Sequence, residues 1–523
     1  MTSEYDVAIF GSGFGGSLMS MVVRRLGLSV LLVERGSHPR FAIGESTSPL
    51  TNLLLEEIAT QYDLPFLLPL STYGQWQRTY PEIAVGLKRG FTYYRHEAGN
   101  SFVGDEDRST QLMVAASPSN EVSDTHWYRA DLDSFFVNQA VDLGVEYIDL
   151  AEITNATTAG SEWKITGSRL DGEFEARARL LIDATGPRGV LHRLFRLPEA
   201  ELPGFAPTQA LYSHFSDVER CDELEAFRVS GTPPFAPDDA ALHHVFDGGW
   251  MWVLRFGNGI TSAGFSVTDN LAGELGLPGD VEAAWQRFLD RFPSIGKQFQ
   301  DSKPTRPFIY APRLSFRTSR ASGAGWAMLP SAAGFIDPLF STGIPLTLLG
   351  IERLGKVLGE TWGARALGNQ LLEYGEVTLE ELDSTAEFVG ASLHSLTSFP
   401  VFAAFSMFYF AAASYSEMAR RLDKRRLVKR FLAADREDFR SGMYACIGAM
   451  PTVIADPSQK RVQEYVSLVA RSIECLNVAG LADTDKHNWY GVDLQDVVRN
   501  AHKLEMTPEA VSRIIATADW AQF

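Results

Sequence analysis

The sequence is short of cysteine: it has 3 in 523 residues. They stand at 221, 446 and 475 with no CxxC pair. Neither a disulfide framework nor a thiolate zinc site is indicated, and a reducing cytoplasm is the expected compartment. An excess of basic charge is also missing. Lys and Arg number 47 against 65 Asp and Glu, a net charge of −18, which argues against nucleic acid as a partner. There is no HExxH and no GxSxG, hence no zincin helix and no nucleophile elbow. His96, His126, His243 and His244 lack metal-ligand spacing. The adjacent pair, placed on a strand, points to opposite faces, so no metal is expected. The first apolar run starts at Val7 and meets glycines at once, unlike a signal peptide. Long hydrophobic runs are absent too. The most aromatic stretch, Pro400–Tyr415, has 16 residues, short of the roughly 20 of a membrane helix. No transmembrane segment is expected, and composition leaves the stretch a choice between core helix and membrane contact. Repeats and low-complexity tracts are absent. Hydrophobic residues at 45% and charged residues at 21% describe an ordinary globular chain of about three folding units, or of one large domain with a lobe.

What is present begins at the N-terminus. Tyr5–Phe10 reads as a buried strand, Gly11-Ser12-Gly13-Phe14-Gly15-Gly16 fits GxGxxG, Ser17–Leu26 has helical spacing, and Ser29–Val33 reads as a second strand ending before Glu34. Gly11 permits the tight turn, Gly13 lets a pyrophosphate approach the backbone, and Gly16 lets helix and strand pack closely. The loop through Phe14 and Gly15 opens a helix N-terminus, whose N–H groups and dipole favour phosphate. Glu34 suits ribose hydroxyls, and an acid at that position favours FAD or NAD over NADP. No second complete GxGxxG follows, so a built-in nicotinamide domain is not expected.

Later segments carry a resemblance. Leu180–Gly186 (LLIDATG), Gly325–Pro338 (GWAMLPSAAGFIDP) and Arg129 in HWYRADLD resemble flavoproteins of the glutathione-reductase-2 type. The resemblance implies FAD, with Arg129, Asp183 and Gly186 among its contacts. Four further segments resemble the flavin-dependent, tryptophan-halogenase-like branch, over residues about 5 to 350. They are Gly44-Glu45-Ser46-Thr47, Gly86–Phe91 around Lys88, Gly249-Trp250-Met251-Trp252-Val253-Leu254-Arg255, and Phe335–Gly343. GEST is shared with geranylgeranyl reductases. Two departures stand out. The WxWxIP signature here has Leu254 and Arg255 in its last two places, and Pro330-Ser331 replaces the usual Gly-Asp, so Ser331 contacts the ribityl chain without a charge. Weaker FAD retention, or FAD arriving already reduced, is expected.

The resemblance implies an α/β fold. A Rossmann-type FAD-binding domain over 1–360 would carry an inserted substrate-covering sheet at about 75–100 and 205–300, and a helical region over 361–523 would close the substrate site. It implies a halogenase using reduced FAD, O2 and chloride or bromide on an electron-rich aromatic substrate, free or carrier-tethered. The reduced FAD would come from a separate NAD(P)H flavin reductase. Lys88 would relay hypohalous acid. Trp250 and Trp252, alternating on one strand face, would stand near the flavin with Glu45. Ser46, Thr47, Ser331, Asp337, Pro338 and Gly343 would contact it. Ser341, Thr342 and Gly343 would hold halide at a helix N-terminus, and Phe91, Tyr93, Phe405 and Tyr409 would wall the substrate. A flavin monooxygenase and a geranylgeranyl-reductase-like enzyme are the alternatives. Each residue also has a plain reading: a strand Lys is usually solvated, Trp pairs are usually core, and Glu45 suits a helix N-terminus. Arg420–Arg430 holds seven Lys and Arg. This run is expected to be a largely solvated helix, or a docking patch for an acidic carrier protein. Trp489–Asp493 suggests no chemistry.

Overall fold

Two sheets and a helical layer organise the chain. The computed structural model describes residues 3–521 apart from 171 and 229. In the first sheet the strands run Ser322–Gly323, Trp326–Met328, Gly172–Asp183, Ser3–Phe10, Val30–Val33, Glu146–Ile148. Pairing around the central strand is parallel, with Val7 opposite Leu180 on one side and Val30 on the other. The apolar runs VAIF, VLLV and LLI fill these strands because a parallel sheet is covered on both faces. The helix Phe14–Arg25 follows the GxGxxG turn. An antiparallel hairpin, Glu152–Ala159 with Glu162–Arg169, extends the sheet beside Gly172–Asp183.

The second sheet runs Lys303–Pro304, Gln209–Ser216, Thr261–Val267, Gly249–Arg255, Ala241–Phe246, Gly90–Arg95, Gln111–Ala115, Trp489–Tyr490. One face packs Phe215, Phe265, Trp285 and Phe288 into a separate aromatic core. His244 belongs to that side, bonded to His96 at 2.8 Å and to Gln298 at 2.9 Å, while His243 faces the other way. The sheet reaches beyond the two ranges read from sequence. Gln111–Ala115 and the two-residue strand Trp489–Tyr490 complete it, and Arg108 lies 3.7 Å over the Trp489 ring. So short a strand, pairing with a segment nearly 400 residues away, leaves no local pattern.

Beyond Thr361 the long helices are Leu367–Ser395, Phe399–Arg421, Glu437–Ala455 and Gln459–Ile473. The aromatic stretch lies in Phe399–Arg421. By length and composition that helix is apolar enough to cross a membrane, but 78% of its most apolar window is buried inside the protein, as befits a core helix. Phe405 is fully buried between Phe388 and Phe408 and lines neither cavity described below. Its expected place on the substrate wall is therefore corrected to core.

The basic run departs from expectation at its start, while Arg425 and Arg426 stay 51% and 64% exposed. The helix stops at Arg421, and Asp423 takes a left-handed conformation with φ 56°, which ends α geometry. Arg420 bonds Glu57 and Glu352, and Arg421 bonds Glu417 and Glu56. Their side chains are only 13% and 10% exposed. The two arginines clamp this helix to Pro49–Gln61 and Gly343–Thr361 rather than facing solvent.

Candidate active site

A cavity of about 500 Å³ lies between the two sheets. The GxGxxG turn forms one end. Gly11 has φ +90°, and a Cβ on Gly16 would stand 1.8 Å from the Gly11 carbonyl oxygen, so only glycine permits this turn and this packing. A Cβ on Gly13 would meet only the tips of Arg129, Arg40 and Asp133. The void runs past Gly13, Phe14, Gly15, Arg129 and Gly186 to Ser331, Asp337 and Pro338.

Two expected residues, Glu34 and Asp183, serve this end without lining the cavity. Glu34 accepts from Ser12 N and Gly36 N, both at 2.9 Å, and pairs with Arg40 at 3.2 Å. Burial alone would raise its pKa, but Arg40 and these amides lower it below the usual carboxylate value. Asp183 is corrected to a loop-shaping residue. It is fully buried and accepts from Thr185 N and Leu191 N, so it fixes the ATG turn from behind while Ala184, Thr185 and Gly186 line the cavity. Arg129 makes a double bond set to Asp133 at 2.8 Å and donates to Ile43 O and Gly44 O at 3.0 Å. Asp133 also accepts from Phe14 N at 3.1 Å. One buried ion pair therefore ties the GxGxxG turn to the GEST loop.

The GEST loop lies antiparallel beside the strand Asp124–Trp127. Thr47 N donates to Thr125 O at 3.1 Å, and Ser46 bridges His126. Glu45 lies ahead of the helix cap, Ser48, and pairs with His214 Nε2 at 2.7 Å. It serves the cavity wall rather than a helix dipole. The other strand beside Asp124–Trp127 is Val85–Lys88, with Lys88 opposite Asp124. A Cβ on Gly86 would stand 1.9 Å from the Arg255 carbonyl oxygen, so glycine lets this strand dock on the tryptophan strand.

Lys88 is fully buried. Its Nζ donates to Ser46 Oγ at 2.9 Å, to Thr47 O, and to Ser341 Oγ at 3.4 Å, and it stands 4.0 Å over the Phe91 ring. Burial drives its pKa down, and Asp124 recovers only part of that. Burial raises Asp124 in turn. A dry lysine of this kind gives up its proton more easily than a solvated one, which frees an amine lone pair.

Ser341, Thr342 and Gly343 line the cavity at the N-terminus of Gly343–Thr361. Phe340 and Ser341 both hold positive φ, 67° and 57°, at a cost of about 1–3 kcal/mol each. Asp337 anchors this strained loop. It is 2% exposed and accepts from Trp250 Nε1 at 3.0 Å, Ser266 Oγ at 2.7 Å, Thr208 Oγ1 at 3.1 Å and Leu339 N at 3.0 Å. Trp250 and Trp252 both line the cavity, rings 5.7 Å apart. His243 stacks on Tyr93 at 4.4 Å, and burial lowers its pKa to about 3, so it is neutral. Arg255 points away. It bonds the buried Asp238 at 2.7 Å and the Val218 carbonyl at 2.8 Å, which locks an outer loop and leaves the cavity unaffected.

Behind Lys88 lies a second cavity of about 130 Å³. Phe91 and Tyr409 line it, with Phe410, Glu417, Tyr490, Asp493 and Trp520. Tyr93 stands one layer behind, against Phe402 at 5.3 Å. Sequence reasoning missed Arg40, Asp133, His214, Asp124 and, on the C-terminal wall, Glu417, Tyr490, Asp493 and Trp520. The one available signal was the unexplained segment Trp489–Asp493.

Comparison with known proteins shows the family and the fold. The sequence profile of the tryptophan halogenase family matches residues 106–464. Monodechloroaminopyrrolnitrin halogenase PrnC of Pseudomonas fluorescens is 30% identical over 414 residues, 77% of this chain and 70% of the relative. Tetracycline 7-halogenase of Kitasatospora aureofaciens is 31% identical over 350 residues, 66% of this chain and 61% of its own length. In fold, halogenase PltM in complex with phloroglucinol and FAD superposes with a TM-score of 0.82, covering 92% of this chain and 99% of that one at 23% identity. The chain belongs to the tryptophan halogenase family, the flavin-dependent halogenases.

Proposed function

We propose that the larger cavity holds FAD, that halide binds at Ser341–Gly343, and that Lys88 passes hypohalous acid to an aromatic substrate in the smaller cavity. The position of Lys88 carries this reading. Its Nζ touches Ser46 and Ser341, which line the larger cavity, and stands over the ring of Phe91, which lines the smaller. The residues fit FAD. The space above Gly13 and Gly343 is free of backbone, Arg40 and Arg129 supply positive charge beside Gly13, and a helix N-terminus faces each end. FAD, once reduced, supplies with O2 the oxidising equivalent that converts halide to hypohalous acid.

The chain's own residues do the rest. Thr342 and Gly343 offer amide donors to an anion at a positive helix end. Trp250 and Trp252 exclude water from the space between loop and sheet. The amine of Lys88 captures hypohalous acid, by hydrogen bond or by exchanging an N–H for N–halogen with release of water, and delivers halogen to a ring carbon; the ring C–H proton leaves as the N–H is restored or, from the hydrogen-bonded acid, as water is released. Arg255, which stands where the WxWxIP signature has proline, is committed to Asp238 and gives hydroxylation no support.

The basic run is largely neutralised: Arg425 pairs with Glu57 and Arg426 with Glu505. A free small aromatic is therefore favoured over one carried by an acidic protein. A separate flavin reductase in the same cytoplasm completes the scheme. The test incubates protein, FAD, NADH, a flavin reductase and bromide with phenols and pyrroles, then reads product masses. A bromine isotope doublet lost in Lys88→Ala, with FAD binding retained, is expected. Oxygenated products indifferent to halide would refute the proposal.

A further inference from the structure

The smaller cavity has an acidic feature that halogen delivery does not use. At about 130 Å³ it is of the size that admits one aromatic ring, since cavities of about 150 Å³ bind benzene. Rings close it on several sides, from Phe91, Tyr409, Phe410, Tyr490 and Trp520. Two carboxylates are in its wall. Asp493 is spent: one oxygen caps Gln495 N at 2.9 Å and the other takes Arg499 at 3.0 Å. Glu417 is different. Its Oε1 takes Arg421 Nε at 2.8 Å, while Oε2 receives no hydrogen bond among the described residues, although the side chain is only 15% exposed. Tyr409, Ala413 and Glu417 all line this cavity, four residues apart on one helix, hence on one face. That face runs from the Lys88 side, where Tyr409 meets the Phe91 ring at 5.7 Å, two turns along to the free carboxylate oxygen.

We propose that Glu417 determines substrate specificity by accepting a hydrogen bond from an O–H or N–H on the substrate ring, which orients that ring toward Lys88. This rests on the halogenase reading for the identity of the cavity's occupant. The ligand class is a single-ring phenol, aniline or N–H heteroarene. The same ring without a donor displaces solvent from that oxygen and offers no hydrogen bond in return, and sites built on such a bond reject analogues that lack it.

Calorimetric titration of the FAD-loaded protein with resorcinol and with 1,3-dimethoxybenzene tests this. Wild type is expected to bind resorcinol at least about tenfold more tightly, the worth of one charge-assisted hydrogen bond. Glu417→Leu brings the two affinities close together, Glu417→Gln restores part of the difference, and both keep wild-type FAD affinity. Ala413→Phe, which fills the cavity, abolishes resorcinol binding. Equal affinities in wild type, a preserved ratio in Glu417→Leu, or resorcinol binding that survives Ala413→Phe would each overturn the assignment. Bromination of the same samples reports separately on halogen transfer. Discrimination without bromination would sink the halogenase reading and leave Glu417 as a ligand contact, whereas bromination without discrimination would do the reverse.

Discussion

Alanine at Gly16 puts the phosphate turn under a defined load. The added Cβ falls 1.8 Å from the Gly11 carbonyl oxygen and 3.1 Å from the Ala184 Cβ. Real Cβ atoms essentially never sit under 3.0 Å from a neighbour, so helix and turn must part by more than an ångström. Gly11 cannot yield. Its N–H is bonded to Val33 O at 2.8 Å, and its own missing Cβ would already lie 2.7 Å from the Ala184 carbonyl oxygen. The clash is backbone to backbone, so the cost belongs at the upper end of overpacking, about 3 kcal/mol, and the melting temperature should fall by about 3 °C. The helix N-terminus would move away from the phosphates, weakening FAD by about tenfold or more. Thermal melts of apo and FAD-loaded protein, with a flavin fluorescence titration, read both effects. Gly343→Ala is the matched control. Its Cβ meets nothing within 4 Å, so the apo melting temperature should hold, and any loss of turnover reports what binds at that loop. A Gly16→Ala protein with wild-type melting and FAD affinity would refute the reasoning.

Two further expectations concern buried charge. Lys88 has a folded pKa pushed below its unfolded 10.5 by burial. Its protonated form therefore costs stability, increasingly as pH falls from 10.5 toward the folded pKa, and constantly below that. Lys88→Met should melt about 2–4 °C above wild type near pH 6, with the gap narrowing toward pH 10, while losing halogenation; a gap that widens with pH contradicts the assignment. Arg255→Leu should leave the Asp238 carboxylate, whose side chain is fully buried, without its partner, at about 3–5 kcal/mol. Melting temperature should drop while halogenation per folded molecule stays unchanged, and a shift toward oxygenated product would contradict the structural role given to Arg255.

Much of the site was legible because its parts are local. The GxGxxG turn, GEST, the lysine strand, the WxW pair and the FIDPLFSTG loop are short segments, and each does its work within a few residues. Gly11 and Gly16 have the backbone roles that spacing assigned to them. Trp250 and Trp252 share a face because strand geometry alternates side chains. The sequence by itself therefore determined the nucleotide fold, the strand and helix starts around the cavity, and the family. Only tertiary structure decided which charges are buried. Lys88 reads as a surface lysine until three segments close over it, and Arg420 and Arg421 read as solvated until Glu57, Glu352 and Glu56 meet them from distant helices. Arg255 looked like a disturbed signature and is a clamp on Asp238. The second cavity belongs wholly to tertiary structure, because its wall joins Phe91, Tyr409, Tyr490 and Trp520. Burial and charge pairing depend on neighbours hundreds of residues away, and no local period or propensity encodes those.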